Sequence, residues 1–344
     1  MTKPVLNDLR RLVIKIGSSL LIDDDRRLNR EWLEGLADDV AVLTESGHQV
    51  LIVSSGAVAI GSLILGVNPR RARLEGLQAA AAAGQVQLVH AYQEALARRG
   101  IKVAQVLLTP DDTELKRRFL NARGTLEKLL EHEVVPVINE NDTVATDELR
   151  YGDNDRLAAR VAQTVMADGL ILLSDVDGFY TADPRTDSDA RYMDIVESIS
   201  EEHMNMAGGS GTTVGSGGMN TKLQAARIAT HAGCATIIAS GVLQRPLNAL
   251  FSGGRHTVFP AADTPAAARK QWLAGRLEVS GKLLLDEGAV AALMNGKSLL
   301  PVGIVGVDGT FGRGDAVMLA GSNGGEIGRG LAAYSSEEAS SIKG

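Results

Sequence analysis

Six short polar clusters in this chain carry residue types suited to phosphate or carboxylate chemistry, and most stand directly after an apolar run. Lys15-Ile16-Gly17-Ser18-Ser19 places a lysine just inside an expected strand end and a glycine where backbone N–H groups can approach an anion. Val53-Ser54-Ser55-Gly56-Ala57-Val58 sets small residues at a strand-to-helix junction, where free helix N–H groups suit a carboxylate or phosphate. Asn139-Glu140-Asn141-Asp142-Thr143 follows a third apolar run, and Gly152-Asp153-Asn154-Asp155 opens a helical pattern. Ser174-Asp175-Val176-Asp177-Gly178 follows a fourth run. Ser216-Gly217-Gly218-Met219-Asn220-Thr221-Lys222 leads from a glycine-rich stretch into a helix with a lysine in its first turn. A cation there opposes the helix dipole, and a polyphosphate bound nearby would account for it.

Each cluster also has an ordinary reading. Gly17 and Gly56 serve as plain turn glycines, Lys15 snorkels outward, and Asp153 or Asn154 caps a helix. Asp177-Gly178 followed by Asp183-Pro184 is common loop chemistry. A cap, however, accounts for one residue of the 152–155 cluster and not for three consecutive carboxylates and carboxamides. Such groups supply acceptors for the ammonium of an amino acid.

The elements that must position these clusters are legible from periodicity. Strands are expected over Leu12–Ile16, Gln49–Val53, Lys102–Leu108, Val134–Ile138, Gly169–Leu173, Ala235–Ala239 and Thr257–Phe259. Helices are expected near Asn29–Ser46, Leu77–Arg99, Arg117–Glu131, Asp155–Ala167 and Thr221–Ala232. Continuous apolar strands alternating with amphipathic helices predict an α/β fold, a three-layer sandwich with a mostly parallel central sheet whose ligands gather at the carboxyl ends of the strands. The polar stretch Gly208–Gly218 reads as a mobile loop near the site. Residues 263–275 read as a linker between a catalytic domain at 8–262 and a small β-rich domain at 276–344, where Asp308-Gly309 is a hairpin-type dipeptide.

Composition narrows the partners. The 344 residues carry 35 Lys plus Arg against 42 Asp plus Glu, a net charge of −7, so no general basic field favours nucleic acid or an anionic membrane. Cys234 is the single cysteine, which excludes an intrachain disulfide and fits a buried residue in a reducing setting. Met1 to Arg11 hold no apolar run followed by a small-residue cleavage site and no stretch approaches ~18 consecutive apolar residues, so secretion is not expected and a soluble cytoplasmic protein is.

Taken together, Ser54-Ser-Gly-Ala-Val-Ala-Ile-Gly61, Asn139-Glu-Asn-Asp142, Gly152-Asp-Asn-Asp155 and Gly217-Gly-Met-Asn-Thr-Lys222 resemble the amino acid kinase family over Arg11 to about Pro260, most closely its branch acting on glutamate. The region from about Val279 resembles a PUA domain. Related chains continue beyond the position of Gly344, so that domain is expected to be incomplete at its C-terminus.

The resemblance implies ATP-dependent phosphorylation of the glutamate side-chain carboxylate, the first step of proline synthesis, with Mg2+ held by the nucleotide phosphates and water. It assigns Lys15 and Lys222 to the transferring phosphoryl group and Asp155 to holding both lysines. Ser55, Asp142 and Asn154 are implied to hold glutamate, with Gly56, Asn139 and Asp153 lining the same pocket. Lys15, Gly17, Ser174, Asp175, Ser216, Gly217, Gly218, Met219, Asn220, Thr221 and Lys222 are implied to contact ATP. Proline as inhibitor, glutamyl phosphate reductase as downstream partner and assembly as a dimer or tetramer are further family expectations. Two rivals remain: a relative with another acceptor, such as acetylglutamate kinase or uridylate kinase, and an RNA-binding protein. Residues 280–344 hold five Lys or Arg and seven Asp or Glu, a balance unfavourable to RNA.

Overall fold

The computed structural model describes residues 6–23, 25, 27–69, 71–144, 154–208, 218–261, 263–265, 279–322 and 324–344. The chain divides into two compact units, Met1–Glu114 with Asn121–Ala266, and Leu115–Leu120 with Ala267–Gly344.

The first unit is built on β1 (Arg11–Ile16), β2 (Gln49–Val53), β3 (Lys102–Leu108), β4 (Val134–Glu140), β5 (Gly169–Ser174), β8 (Ala235–Ser240) and β9 (His256–Phe259), with a short β6–β7 ribbon (Phe179–Tyr180, Tyr192–Met193) beside them. The seven-stranded sheet runs β3-β4-β2-β1-β5-β8-β9. Every neighbouring pair is parallel except β8 with β9, as the alternating grammar of the sequence predicts.

Alternation along each strand distributes the core. Leu12, Ile14 and Ile16 of β1 and Val50 and Ile52 of β2 pack with α2 (Arg30–Glu45), α4 (Leu74–Ala97) and α10 (Pro246–Phe251). Val13, Leu51, Val53, Leu170 and Leu172 point the other way, towards α6 (Lys116–Glu131), α7 (Asn154–Thr164) and α9 (Met219–His231). Each fully buried aliphatic side chain contributes roughly 1.5–3 kcal/mol, and a one-residue slip of β1 would force both layers to repack and turn Lys15 into the α2/α4 layer. Parity then decides the site, because Lys15 shares the Val13 face and must meet α7 and α9. Cys234 is buried in that same layer.

On the opposite face α3 (Ala57–Leu65) crosses α4 at glycine contacts. A Cβ on Gly61 would stand 1.7 Å from the carbonyl oxygen of Ala80, and one on Gly84 would stand 1.9 Å from that of Ala57. Helix backbones this close leave no room for a methyl group. Gly61→Ala is expected to destabilise the protein by about 3 kcal/mol through overpacking. Urea unfolding checks this, and a change below about 0.5 kcal/mol would contradict the close approach.

Three sequence expectations are corrected. β4 runs on through Asn139 and Glu140, so these residues belong to a buried strand end and not to the loop after it. The helix read to Ala167 ends at Thr164, because Met166 takes a positive φ of 50° and the Ala167 N–H donates back to the Ala162 carbonyl. Asp308-Gly309 does not turn a hairpin towards the next strand. In the second unit β10 (Gly281–Leu285), β11 (Ile304–Gly309), β12 (Ala316–Ala320) and β13 (Glu326–Leu331) lie in the order β11-β10-β12-β13, with β10 and β12 parallel. Gly309 instead closes the β10–β11 ladder opposite Gly281, at a φ of 85°.

Helices Glu287–Met294 and Ser336–Ile342 complete this second unit, around Leu283, Leu285, Ile304, Phe311, Val317, Ala332 and Ala339. The expected loop at 208–218 falls outside the described residues except for its two ends, and the expected linker lies largely outside them. Among the described residues no helix is long and apolar enough to cross a membrane.

Candidate functional site

Strand register brings the polar clusters to one rim. Lys15 pairs with Val53 on one side and Leu172 on the other, Val53 pairs with Ile138, and the Ser54 N–H donates to the Ile138 carbonyl at 2.9 Å. Ser54, Asn139 and Ser174 therefore stand at the carboxyl ends of β2, β4 and β5, around the end of β1. This is where open parallel sheets bind ligands.

On the α7/α9 face, two ammonium groups converge on one carboxylate. Lys15 Nζ lies 2.6 Å from Asp155 Oδ1 and Lys222 Nζ lies 3.2 Å from Oδ2, while Thr221 Oγ1 donates to Oδ2 at 3.1 Å. Lys15 is 4% exposed, Lys222 5% and Asp155 0%. Burial pushes the Asp155 carboxyl up. The positive charges of Lys15 and then Lys222, with their hydrogen bonds, outweigh it and hold the group below its usual range.

Two lysines this deeply buried are a poor route to stability, since desolvation consumes most of the Coulombic gain. Chemistry is the better reason to keep them. The sign of the pH effect follows from the lowered carboxyl. The unfolded chain, with Asp near 3.9, binds the proton first, so the stabilisation is complete above ~pH 4–5 and declines as pH falls through the folded value. The advantage of the parent over Asp155→Asn in urea unfolding should be flat from pH 6 to 8 and shrink below ~pH 3.9. An advantage growing on acidification would contradict this assignment.

A second cluster occupies the other face of the same rim. Asn154, the residue before Asp155, donates through Nδ2 to the Ser54 carbonyl at 2.6 Å, Ser55 Oγ at 2.9 Å and Asn139 Oδ1 at 3.0 Å. Two hydrogens serve three acceptors, and the Ser55 hydroxyl keeps its own hydrogen for a ligand. Asn139 Nδ2 donates to Gln85 Oε1 at 2.8 Å, and Ser54 Oγ meets the hydroxyl of Tyr92 at 3.0 Å. Burial pushes the Tyr92 phenol up and keeps it neutral. Gly56, at a φ of 103°, starts α3 in a conformation few other residues adopt. Gly17 is extended, and a Cβ there would meet only Ser19 Oγ at 3.8 Å and Lys15 Nζ at 4.0 Å, so this turn does not need glycine for its backbone.

The remaining sequence candidates are dispersed or differently engaged. Ser174 Oγ donates to Asp175 Oδ1 at 3.1 Å, while Asp175 Oδ2 accepts from Arg185 at 2.8 Å. Gly218 is the N-cap of α9, Met219 packs against the core, and Asn220 Oδ1 accepts from Gln224. Asp142 lies in the turn after β4. Asp153, Ser216 and Gly217 lie outside the described residues. Residue-type reasoning missed Gln85 and Tyr92. Their signal was faint: two polar side chains seven apart, hence on one face, within an Ala-rich helix.

A model of the amino acid kinase family matches residues 10–240. The chain belongs to that family. A PUA domain model matches residues 281–344 of this amino acid kinase. It is 53% identical over 345 residues to a glutamate 5-kinase of Rhodopseudomonas palustris (strain BisB5), covering 100% of this chain and 92% of the relative. It is also 53% identical to that of Rhizobium rhizogenes (strain K84 / ATCC BAA-868), covering 98% and 87%. Among solved structures, carbamate kinase from Giardia lamblia bound to AMP-PNP superposes with a TM-score of 0.52 at 17% identity, covering 74% of this chain and 100% of that one. UMP kinase from Ureaplasma parvum gives 0.51 at 16%, covering 73% and 99%. At such identities these two show the shared fold alone.

Among the described residues no group of three or more His, Cys, Asp or Glu side chains converges on a metal-sized site. Asp155 is already committed to two amines, so the described residues do not fit a protein-built magnesium cage.

Proposed function

We propose that this amino acid kinase transfers the γ-phosphoryl group of ATP to the side-chain carboxylate of glutamate, the reaction for which its 53% identical relatives are named. The observation that carries the reading is the pair of buried ammonium groups clasped to Asp155 at the carboxyl rim of the sheet. A glutamate carboxylate oxygen attacks phosphorus, the bond from the γ-phosphorus to the bridging oxygen breaks, and ADP leaves with the electron pair. No proton moves, because the nucleophile, with an ordinary pKa of ~4.3, is already ionised. Catalysis then reduces to in-line positioning and charge stabilisation, which Lys15 and Lys222 supply and Asp155 keeps aimed.

Ser55, Asn154 and Asp142 hold glutamate in this reading, with Gly56, Asn139 and Asp153 lining its pocket. Gly17, Ser174, Asp175 and the segment Ser216 to Lys222 contact ATP. Magnesium, if carried by the nucleotide, is coordinated by phosphates and water. Residues 8–262 form the catalytic domain, 263–275 the linker and 276–344 the PUA-like domain. The acyl phosphate product hydrolyses readily, which favours direct handover to a glutamyl phosphate reductase in proline synthesis. Proline acts as a feedback inhibitor, and the working form is a homo-oligomer.

ADP release with glutamate, N-acetylglutamate, aspartate and UMP, each with and without proline, tests the reading. Glutamate is expected as the preferred acceptor, with proline raising the glutamate requirement. Preference for any other acceptor defeats the assignment.

A further inference from the structure

We infer that Gln85 is a positioning residue for the acceptor pocket, acting through Asn139; this rests on the glutamate-binding reading above. Strand parity is the starting point. Val135 and Val137 of β4 pack into the core that holds α4, so Asn139, two residues on, points to the same face and meets Gln85 there. Ser54 follows Val50 and Ile52 by the same rule and meets Tyr92, also on α4. Gln85 and Tyr92 are seven residues apart, two helical turns, so one stripe of α4 braces two neighbouring strand ends.

The direction of the amides follows from their partners. Asn139 Oδ1 accepts from the Glu140 N–H at 2.9 Å and from Asn154 Nδ2 at 3.0 Å, which leaves its Nδ2 to donate to Gln85 Oε1 at 2.8 Å. Gln85 completes the contacts that hold Asn139 in this orientation, and Asn139 in turn places Asn154 beside Ser55. The arrangement has a cost. Gln85 is 8% exposed, and among the described residues its Nε2 is a buried donor without a partner. A methionine of similar length would fill this space and remove that unpaired donor, leaving Asn139 Nδ2 without an acceptor in its place, so packing alone does not favour glutamine. Orientation of Asn139 does.

Gln85→Met in the full chain separates the two roles. With glutamate-dependent ADP release as the readout, the glutamate KM is expected to rise about tenfold, the equivalent of one lost hydrogen bond. The ATP KM should stay within about twofold, because the relay from Gln85 leads to Asn139 and Asn154 and not to the nucleotide side of the rim. In an Asn139→Ala background the same substitution should add little, because both changes remove one relay. Gln85→Leu repeats the measurement with another apolar shape. A glutamate KM unchanged in Gln85→Met, a parallel rise of both KM values, or full additivity with Asn139→Ala overturns the inference. The parent enzyme is the control. A parent indifferent to glutamate sinks the acceptor assignment and this inference together, whereas a glutamate-dependent parent beside an unaffected variant sinks only the positioning role.

Discussion

Lys222→Met lowers turnover on the order of 10²–10³-fold, and Lys15→Met does the same, with little change in the concentration of glutamate needed for half saturation. Both amines lie within 3.2 Å of Asp155 in a site from which water is largely excluded, where a fixed positive charge acts on a developing phosphoryl charge far more strongly than in bulk solvent. Methionine keeps the length and apolar stem while removing the charge, so the comparison isolates electrostatics from packing. Steady-state kinetics with glutamate and ATP, alongside far-UV circular dichroism, decides the matter. Turnover within about threefold of the parent in a folded variant removes that lysine from the reaction.

Asp155→Asn has the second large effect, and it appears in stability as well as in rate. The carboxylate is fully buried and receives Lys15, Lys222 and the Thr221 hydroxyl; the carboxamide leaves two buried ammonium groups without their shared counter-charge. Breaking a buried ion pair from one side costs about 3–5 kcal/mol, much more than an exposed pair contributes. Urea unfolding at neutral pH should show that loss, together with turnover reduced at least as far as in either lysine variant. A variant as stable as the parent would show that the ammonium groups do not depend on this carboxylate.

Much of the architecture follows from local pattern. The β-branched apolar runs and intervening helical stretches define an α/β unit with a parallel sheet, and the glycine-containing strand ends point to its carboxyl rim. Lys15, Asn154, Asp155 and Lys222 are visible because charged and carboxamide groups at apolar strand ends and helix starts need a reason beyond solvation. Three kinds of feature stayed hidden. The continuation of β4 through Asn139 depends on pairing with Leu107 of β3, a contact between distant segments. The end of α7 depends on Met166 taking a left-handed conformation that its residue type does not advertise. The place of Asp308-Gly309 depends on β12 choosing β10 as its neighbour instead of β11.

The sequence by itself determined the layers, the face to which Lys15 must point and the nearness of Asn154 to Asp155, because periodicity and adjacency are local properties. Only the tertiary structure decided that Lys15 and Lys222, 207 positions apart, share one carboxylate, and that Gln85 and Tyr92 stand behind the amide cluster. The physical reason is register. Which strand ends lie level, and which helix covers them, follows from the packing of both faces at once, and no short segment carries that information.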